Sequence, residues 1–424
     1  MRALLAVRLY SGFETSVASR RWRPTGAPTI YRLVEGLDRD DSLTFVLTRK
    51  GTTDPADPSE CRDDVMTLEG LAAPVCVLAH ERALPAWLGR LRWYGAELLQ
   101  AWKIGRLQRR VHADLVYVDR ANLLAGGMLA RVSRTPVVLR VMGVSSDMEL
   151  ATTSRHPRHL LNRWLLRSPF AAVVCTLDGS GTETWAEKAL SPTVPRMHFV
   201  NGIERESPGG AGPPLPNDQT IVLCAGRLEP IKGCVEFLRA FVAACREQPT
   251  GLRAVFMGTG ALERELSDLA EQEGVTDRVT FLGAVPHKDV HAVYRRADIY
   301  VSLNRMGSLS NTTIEALDAG CCIVLPRSDP ATGRDISTDR LLPDDVAVRI
   351  PSVDDTQALA QVLVALHRDP ARRHARAKAA AVLARRVIPT WHERIERELT
   401  LLRGIAAGVR PTLAPGSAPG TGPA

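Results

Sequence analysis

The run SPGGAGPPLPND at 207–218 splits the chain into two stretches that share one internal rhythm. Seven of its twelve residues are Pro or Gly. Proline removes a backbone donor and glycine is costly to order, so the run reads as a linker and holds neither helix nor strand. Before it, short β-rich runs at 3–9, 43–47, 74–78, 115–118, 136–141, 171–176 and 197–200 are mostly separated by longer helical patterns. After it the alternation restarts, with strands expected at 220–224, 252–257, 279–282, 299–303, 322–325 and 346–350. Helices are expected near 234–247, 261–273, 312–319, 355–368 and 371–386. Strands alternating with helices imply parallel sheets with crossover helices. The 424 residues exceed one compact core and suit two domains. The expectation is an α/β chain with a first domain over 1–206, a linker at 207–218 and a second domain over 219–386. The low-complexity end, PTLAPGSAPGTGPA (411–424), is expected to be disordered.

Composition removes several classes. The longest apolar runs, such as 171–175 and 321–325, fall far short of the ~18 residues of a membrane helix. The opening MRALLAVRLY has an arginine inside its apolar stretch and reads as a first buried strand rather than a leader. The eight cysteines contain no CxxC or CxxxC pair, which argues against a zinc module or disulfide framework and for a cytosolic compartment. Formal charge is +7, and only six of the 54 basic residues are Lys. That excess suits an anionic ligand, a phospholipid surface or nucleic acid, but no nucleic-acid reading motif accompanies it.

Two segments carry chemistry. In GRLEPIKG (226–233) the strand IVLCA runs straight into Gly226 and Arg227, and a helix begins after Gly233. Ligands of open α/β sheets bind at the carboxyl ends of strands, where Arg227 and Lys232 emerge. A fork and a point charge there suit a diphosphate, although two solvated loop cations would read the same way. In LSNTTIEALDAGCCIVLP (309–326), Ser310, Asn311 and Thr312 are N-cap types opening a helix. A helix N-terminus offers free amides and roughly half a positive charge, which suits a phosphate. Glu315, one turn inside, could accept both hydroxyls of a ribose; a plain capped helix with an acidic first turn is the alternative.

Together with 255–286 and 297–326, these segments resemble the C-terminal domain of glycosyltransferase family 4, also called the glycosyl transferases group 1. VNGIE (200–204) resembles the turn closing that family's first domain, and 114–143 resembles the strand, helix and strand leading to its donor cleft. The resemblance implies a GT-B fold, two doubly wound Rossmann-like domains facing a central cleft. It also implies a UDP- or GDP-linked nucleotide-diphospho-sugar donor and a retained anomeric configuration. Arg227 and Lys232 would hold the donor phosphates, Ser310, Asn311 and Thr312 the β-phosphate, and Glu315 the ribose. The segment 387–410 would cross back onto the first, acceptor-side domain. Because a nucleoside diphosphate departs, catalysis needs positive charge where negative charge develops, and these groups supply it without a metal or cofactor.

Three positions depart from the family pattern. Its paired glutamates, E-x7-E, match at Glu315, but the first falls on Gly307. Met142 stands where many members carry His at the end of PVVLRV. The Gly-Gly loop after the first strand is missing, with Gly12 and Gly26 as loose substitutes.

Other signals read blandly. HKDVH (287–291) has i, i+4 histidines without a third ligand, so a surface helix is expected rather than zinc. GTG (258–260) is an incomplete dinucleotide fingerprint. DRDD (38–41) mimics a metal-binding DxD but sits in a turn, where acids are expected to be solvated. Residues 82–110 hold seven basic residues against Glu97, with Trp87, Trp93, Tyr94 and Trp102 interleaved, and 155–170 adds four arginines and Trp164. A long helix packed on the sheet with an Arg-rich outer face is the plainer reading. An amphipathic face on an anionic membrane is the functional one.

The sequence therefore reads as a cytoplasmic, retaining, metal-independent hexosyltransferase-like enzyme with peripheral membrane contact if that face is real. The expected acceptor is a sugar, a lipid-linked molecule or another small molecule; nucleic acid is not a partner. A catalytically weakened nucleotide-sugar-binding partner or scaffold is the alternative that Gly307 and Met142 motivate. A sugar-nucleotide epimerase of the same fold is the other.

Overall fold

The structure, a computed structural model, describes residues 1–50, 62–80, 90–205, 212–216 and 218–411. They form two compact units. One comprises Met1–Thr176, Glu183–Phe199 and the helix Trp391–Ala406; the other comprises Leu177–Thr182 and Val200–Thr390.

The sheet of the first unit contains β1 (Arg2–Arg8), β2 (Ser42–Thr48), β3 (Asp64–Met66), β4 (Val75–Leu78), β5 (Leu115–Asp119), β6 (Val137–Val141), β7 (Ala172–Leu177) and β8 (Arg196–Val200). Their spatial order is β3-β4-β2-β1-β5-β6-β7-β8, with β3 antiparallel to β4. Central strands of such sheets are buried on both faces and so are apolar at every position. Period-two alternation then sorts their residues into two cores. Leu4, Ala6, Val116, Val118 and Leu139 pack under the helices Arg90–Arg110, Leu123–Val132 and Pro157–Leu166. Leu5, Val7, Leu115, Tyr117 and Val138 pack against Pro28–Asp40 and against Ile395, Leu399 and Leu402 of Trp391–Ala406.

That last helix is also fixed by buried polar groups. Tyr117 donates its hydroxyl hydrogen to Glu398 Oε1 at 2.6 Å. Glu398 Oε2 lies 2.7 Å from Arg394 Nη1 and 3.8 Å from Arg140 Nη1, all three side chains being fully buried. Arg403 pairs with Asp41 at 2.9 Å. The acids of DRDD are therefore bonded rather than simply solvated: Asp38 also accepts the Ala72 and Ala73 amides at 2.9 and 2.6 Å.

The second unit contains β9 (Thr220–Ala225), β10 (Leu252–Met257), β11 (Val279–Phe281), β12 (Ile299–Val301), β13 (Cys322–Pro326) and β14 (Ala347–Ile350). Their order, β11-β10-β9-β12-β13-β14, reverses direction between β9 and β12, which pair in parallel at Ile299–Val222 and Tyr300–Leu223. Such a reversal is the topological switch point at which doubly wound sheets bind ligands.

The first domain is not the continuous stretch 1–206. Leu177–Thr182 packs in the second unit, where Asp178 O accepts the Leu309 amide at 3.1 Å and Gly179 O accepts the Asp335 amide at 2.7 Å. Of the Pro/Gly run, 212–216 and 218 are described; Leu215 is buried and its carbonyl accepts from Arg296 at 2.7 Å. The rest of that run, and 412–424, lie outside the described residues. Among the described residues seven cysteines are free and buried, and no helix is long and apolar enough to cross a membrane.

Candidate functional site

The loops leaving β9 and β12 sit side by side at the switch point, and one glycine sets how close they come. Gly233, at φ +67°, ends a 3-10 turn (Pro230–Lys232) and opens the helix Cys234–Glu247. A Cβ there would lie 2.5 Å from Leu303 Cβ and 2.7 Å from its carbonyl oxygen, so only glycine admits this approach. The Arg305 amide donates to Ile231 O at 2.9 Å across the same seam. GTG (258–260) belongs to this scaffold: Thr259 O accepts the Leu228 amide at 2.9 Å.

Arg227 and Lys232 occupy this edge unequally. Arg227 is mostly exposed and pairs with Glu229 at 2.8 Å. Lys232 folds back over Gly226, its Cε 3.9 Å from where a Cβ of Gly226 would stand, and no ion pair to it is found among the described residues. Burial lowers the Lys232 pKa first, and the Arg227 charge lowers it further. A cation depressed by both causes gains by acquiring an anion.

The helix Asn311–Ala319 follows β12. Ser310 takes the N-cap position in extended geometry, but its hydroxyl does not cap the helix. It meets the Thr312 and Thr313 hydroxyls at 2.8 and 3.2 Å instead. The expected capping bond is thus missing, which leaves first-turn amides unspent. Asn311 Oδ1 accepts from Asn201 at 2.6 Å and Thr312 Oγ1 accepts from the Tyr300 hydroxyl at 2.9 Å, so both side chains hold the scaffold. Glu315 lies beside Tyr294 of the helix His287–Arg296, and burial pushes its carboxyl up to about 7, an effect the Tyr294 hydroxyl partly offsets.

The sequence reading missed two carboxylates. Gly307, at φ +140°, lies against the Leu177–Thr182 segment, and a Cβ would meet the Gly179 carbonyl carbon and the Ser180 nitrogen at 2.4 Å each. Here the chain has no room for the family's first glutamate. Asp178 and Asp335 stand nearby: Asp335 accepts the Ser308 amide at 2.7 Å and its hydroxyl at 3.0 Å, and burial pushes Asp178 up to about 6. The signal for Asp178 was its place at the end of an apolar strand before Gly-Ser-Gly. Asp335, 28 residues beyond Gly307 in sequence, gave none.

Met142 follows β6 and is 39% exposed. Gly12 is pinned by Thr25, whose amide donates to Gly12 O at 2.9 Å, and Gly26 has φ +77°. The His287 side chain lies outside the described residues. Among those described, no three His, Cys, Asp or Glu side chains are grouped to hold a metal ion.

Residues 211–381, the segment containing both loops, match the family described as Glycosyl transferases group 1. Residues 211–381 thus form a glycosyl transferases group 1 domain. A D-inositol 3-phosphate glycosyltransferase of Saccharomonospora viridis is 28% identical over 236 residues, 54% of this chain and 52% of that protein. The chain thus spans about half the length of that relative. A phosphatidyl-myo-inositol mannosyltransferase of Mycobacterium leprae is 27% identical over 297 residues, 61% of this chain and 76% of that one. Among solved structures, a sucrose-phosphate synthase from Thermosynechococcus elongatus superposes with a TM-score of 0.67 at 17% identity, covering 96% of this chain and all of its own. Anabaena HepE in complex with UDP superposes at 0.65 and 16% identity, covering 95% and 99%. These likenesses give the chain the GT-B fold.

Proposed function

We propose that the chain is a retaining, metal-independent glycosyltransferase that moves a hexosyl group from a UDP- or GDP-linked sugar to an acceptor hydroxyl. The observation that carries this is the meeting, at one switch point, of Lys232, whose pKa burial and then Arg227 lower and which has no ion pair among the described residues, with a helix whose first-turn amides lack a side-chain cap.

In this reading the diphosphate lies between the β9 loop and the helix Asn311–Ala319. Its charge offsets the burial and the Arg227 repulsion that lower the Lys232 pKa. Arg227 turns from Glu229 to the outer phosphate oxygens, exchanging one charged partner for another. The Ser310–Thr312 amides point at the β-phosphate, where negative charge grows as the glycosyl bond breaks. Glu315, once ionised, accepts the ribose hydroxyls. The names of the relatives, D-inositol 3-phosphate glycosyltransferase and phosphatidyl-myo-inositol mannosyltransferase, support a polyol or lipid-linked acceptor. The buried free cysteines suit the reducing cytoplasm.

Gly307 favours a second reading, a donor-binding partner with weakened catalysis. Nucleoside diphosphate released from UDP-glucose or GDP-mannose, in EDTA and with inositol or phosphatidylinositol as acceptor, separates the two. Release that needs acceptor and survives chelation supports transfer. Binding without release supports the partner reading, and turnover restored only by Mn²⁺ contradicts the metal-independent chemistry.

A further inference from the structure

Outside the donor loops, the first unit exposes an apolar belt. Leu98 and Trp102 on Arg90–Arg110, Val132 on Leu123–Val132, and Leu160 and Trp164 on Pro157–Leu166 are 44–74% exposed when Trp93 and Leu150 nearby in sequence are counted with them. The three helices are neighbours: a Cβ at Gly105 would touch Leu129 Cδ2 at 3.2 Å, and Arg131 stacks over the Trp164 ring at 4.0 Å. Leu98, Trp102 and Val132 line one groove, and exposed apolar surface gathered in this way marks an interaction site.

Between the first two helices lies an open groove of about 610 Å³, within the range of ligand sites. Leu98, Trp102, Met128, Leu129 and Val132 make its length apolar. Gln108 donates to Thr135 Oγ1 at 2.8 Å, and the lining residues next to that pair in sequence are Arg109 and Arg134, both exposed. The groove is therefore apolar along its length and basic at one end.

The two helices that form the groove bring no free acid to it. Arg90–Arg110 contains one carboxylate, Glu97, which is buried against Arg8 at 3.0 Å, and Leu123–Val132 contains none. Exposed tryptophans beside arginines suit the boundary between hydrocarbon and headgroups.

We propose that this groove takes one hydrocarbon chain of an anionic membrane lipid, with Arg109 and Arg134 on its headgroup. Charge complementarity commits the occupant: an apolar slot ending in two arginines matches an anionic amphiphile better than a neutral lipid or a helix of mixed charge. The proposal holds whichever acceptor the transfer reaction uses, so its test contains neither donor nor acceptor.

The full chain should float with phosphatidylglycerol vesicles and stay behind with phosphatidylcholine vesicles, and recovery should fall as salt rises. Lipids brominated in mid-chain should quench the parent's tryptophan emission more than that of Trp102→Phe. Arg109→Ala with Arg134→Ala should weaken binding about fivefold for each arginine removed. Val132→Glu, at an exposed position, should abolish it. Melting within about 2 °C of the parent shows that these variants fold. Equal recovery with neutral vesicles, recovery with neither, or a dimer that Val132→Glu dissociates overturns the proposal; the last would make the belt a contact between copies of the chain.

Discussion

Gly307 touches Gly179 so closely that a Cβ at 307 would lie 2.4 Å from the Gly179 carbonyl carbon. The obstacle is backbone, which cannot rotate away as a side-chain tip would. Two segments far apart in sequence are thereby locked together, and Asp335 bonds to both: its amide to Gly179 O and its carboxylate to Ser308.

Restoring the family's glutamate should therefore harm the protein. Gly307→Glu adds overpacking to a φ that side chains rarely adopt, a cost of about 1–3 kcal/mol from each source. Urea denaturation should show a lower midpoint. Parental stability together with raised turnover would mean that Gly307 is an evolved loss rather than a packing requirement.

Lys232→Ala should weaken UDP or GDP binding more than Arg227→Ala. The lysine is half-buried and has no ion pair among the described residues, and a charge-assisted bond contributes about 1.5–3 kcal/mol, roughly ten- to a hundredfold. The exposed Arg227 already has Glu229, so its loss should cost about fivefold or less. Titration calorimetry of both variants checks the order, and parental affinity in both would remove the site assignment.

With Glu315 on the ribose, as proposed, nucleotide affinity should rise as pH increases through about 7, because a carboxyl accepts hydroxyls best when ionised. The stability of the free protein runs the other way. A carboxyl raised in the folded state takes up protons on folding between its unfolded pKa and about 7, so this contribution is present at low pH and lost over that window. Affinity should fall again on the alkaline side as the depressed Lys232 deprotonates. Glu315→Gln should flatten the acidic limb and leave the alkaline one.

Glu398→Ala should destabilise the first unit by about 3–5 kcal/mol, since it strands Arg394 and Arg140 as buried charges. Burial alone would raise the Glu398 pKa, but Arg394 and Arg140 outweigh it and hold it below the usual glutamate value. Its stabilisation is therefore full above the unfolded pKa and lost as pH falls through the folded one. A mid-pH melting temperature unchanged by the substitution would contradict the buried network.

What was legible in the sequence was local. GRLEPIKG and SNTTIEA announced themselves because turn glycines, N-cap residue types and apolar strands are short-range signals. The Asp178–Gly307–Asp335 arrangement was not legible, because it joins three loops through backbone proximity that no periodicity encodes. Nor was the missing cap: Ser310 is a capping residue by type, yet Thr312 and Thr313 claim its hydroxyl. DRDD misled for the same reason, since its partners, Ala72, Ala73 and Arg403, lie outside the local window.

The helix Trp391–Ala406 has a bearing on how the protein is born. It completes the core around Leu5, Val7 and Tyr117, yet it leaves the ribosome after every residue of Val200–Thr390. Domains generally mature in the order of synthesis. Here the unit begun first is finished last, waiting with one face of its sheet uncovered while the other unit already has all its described residues. A nascent chain stalled before Trp391 should thus show a protease-resistant second unit beside a first unit that chaperones still hold.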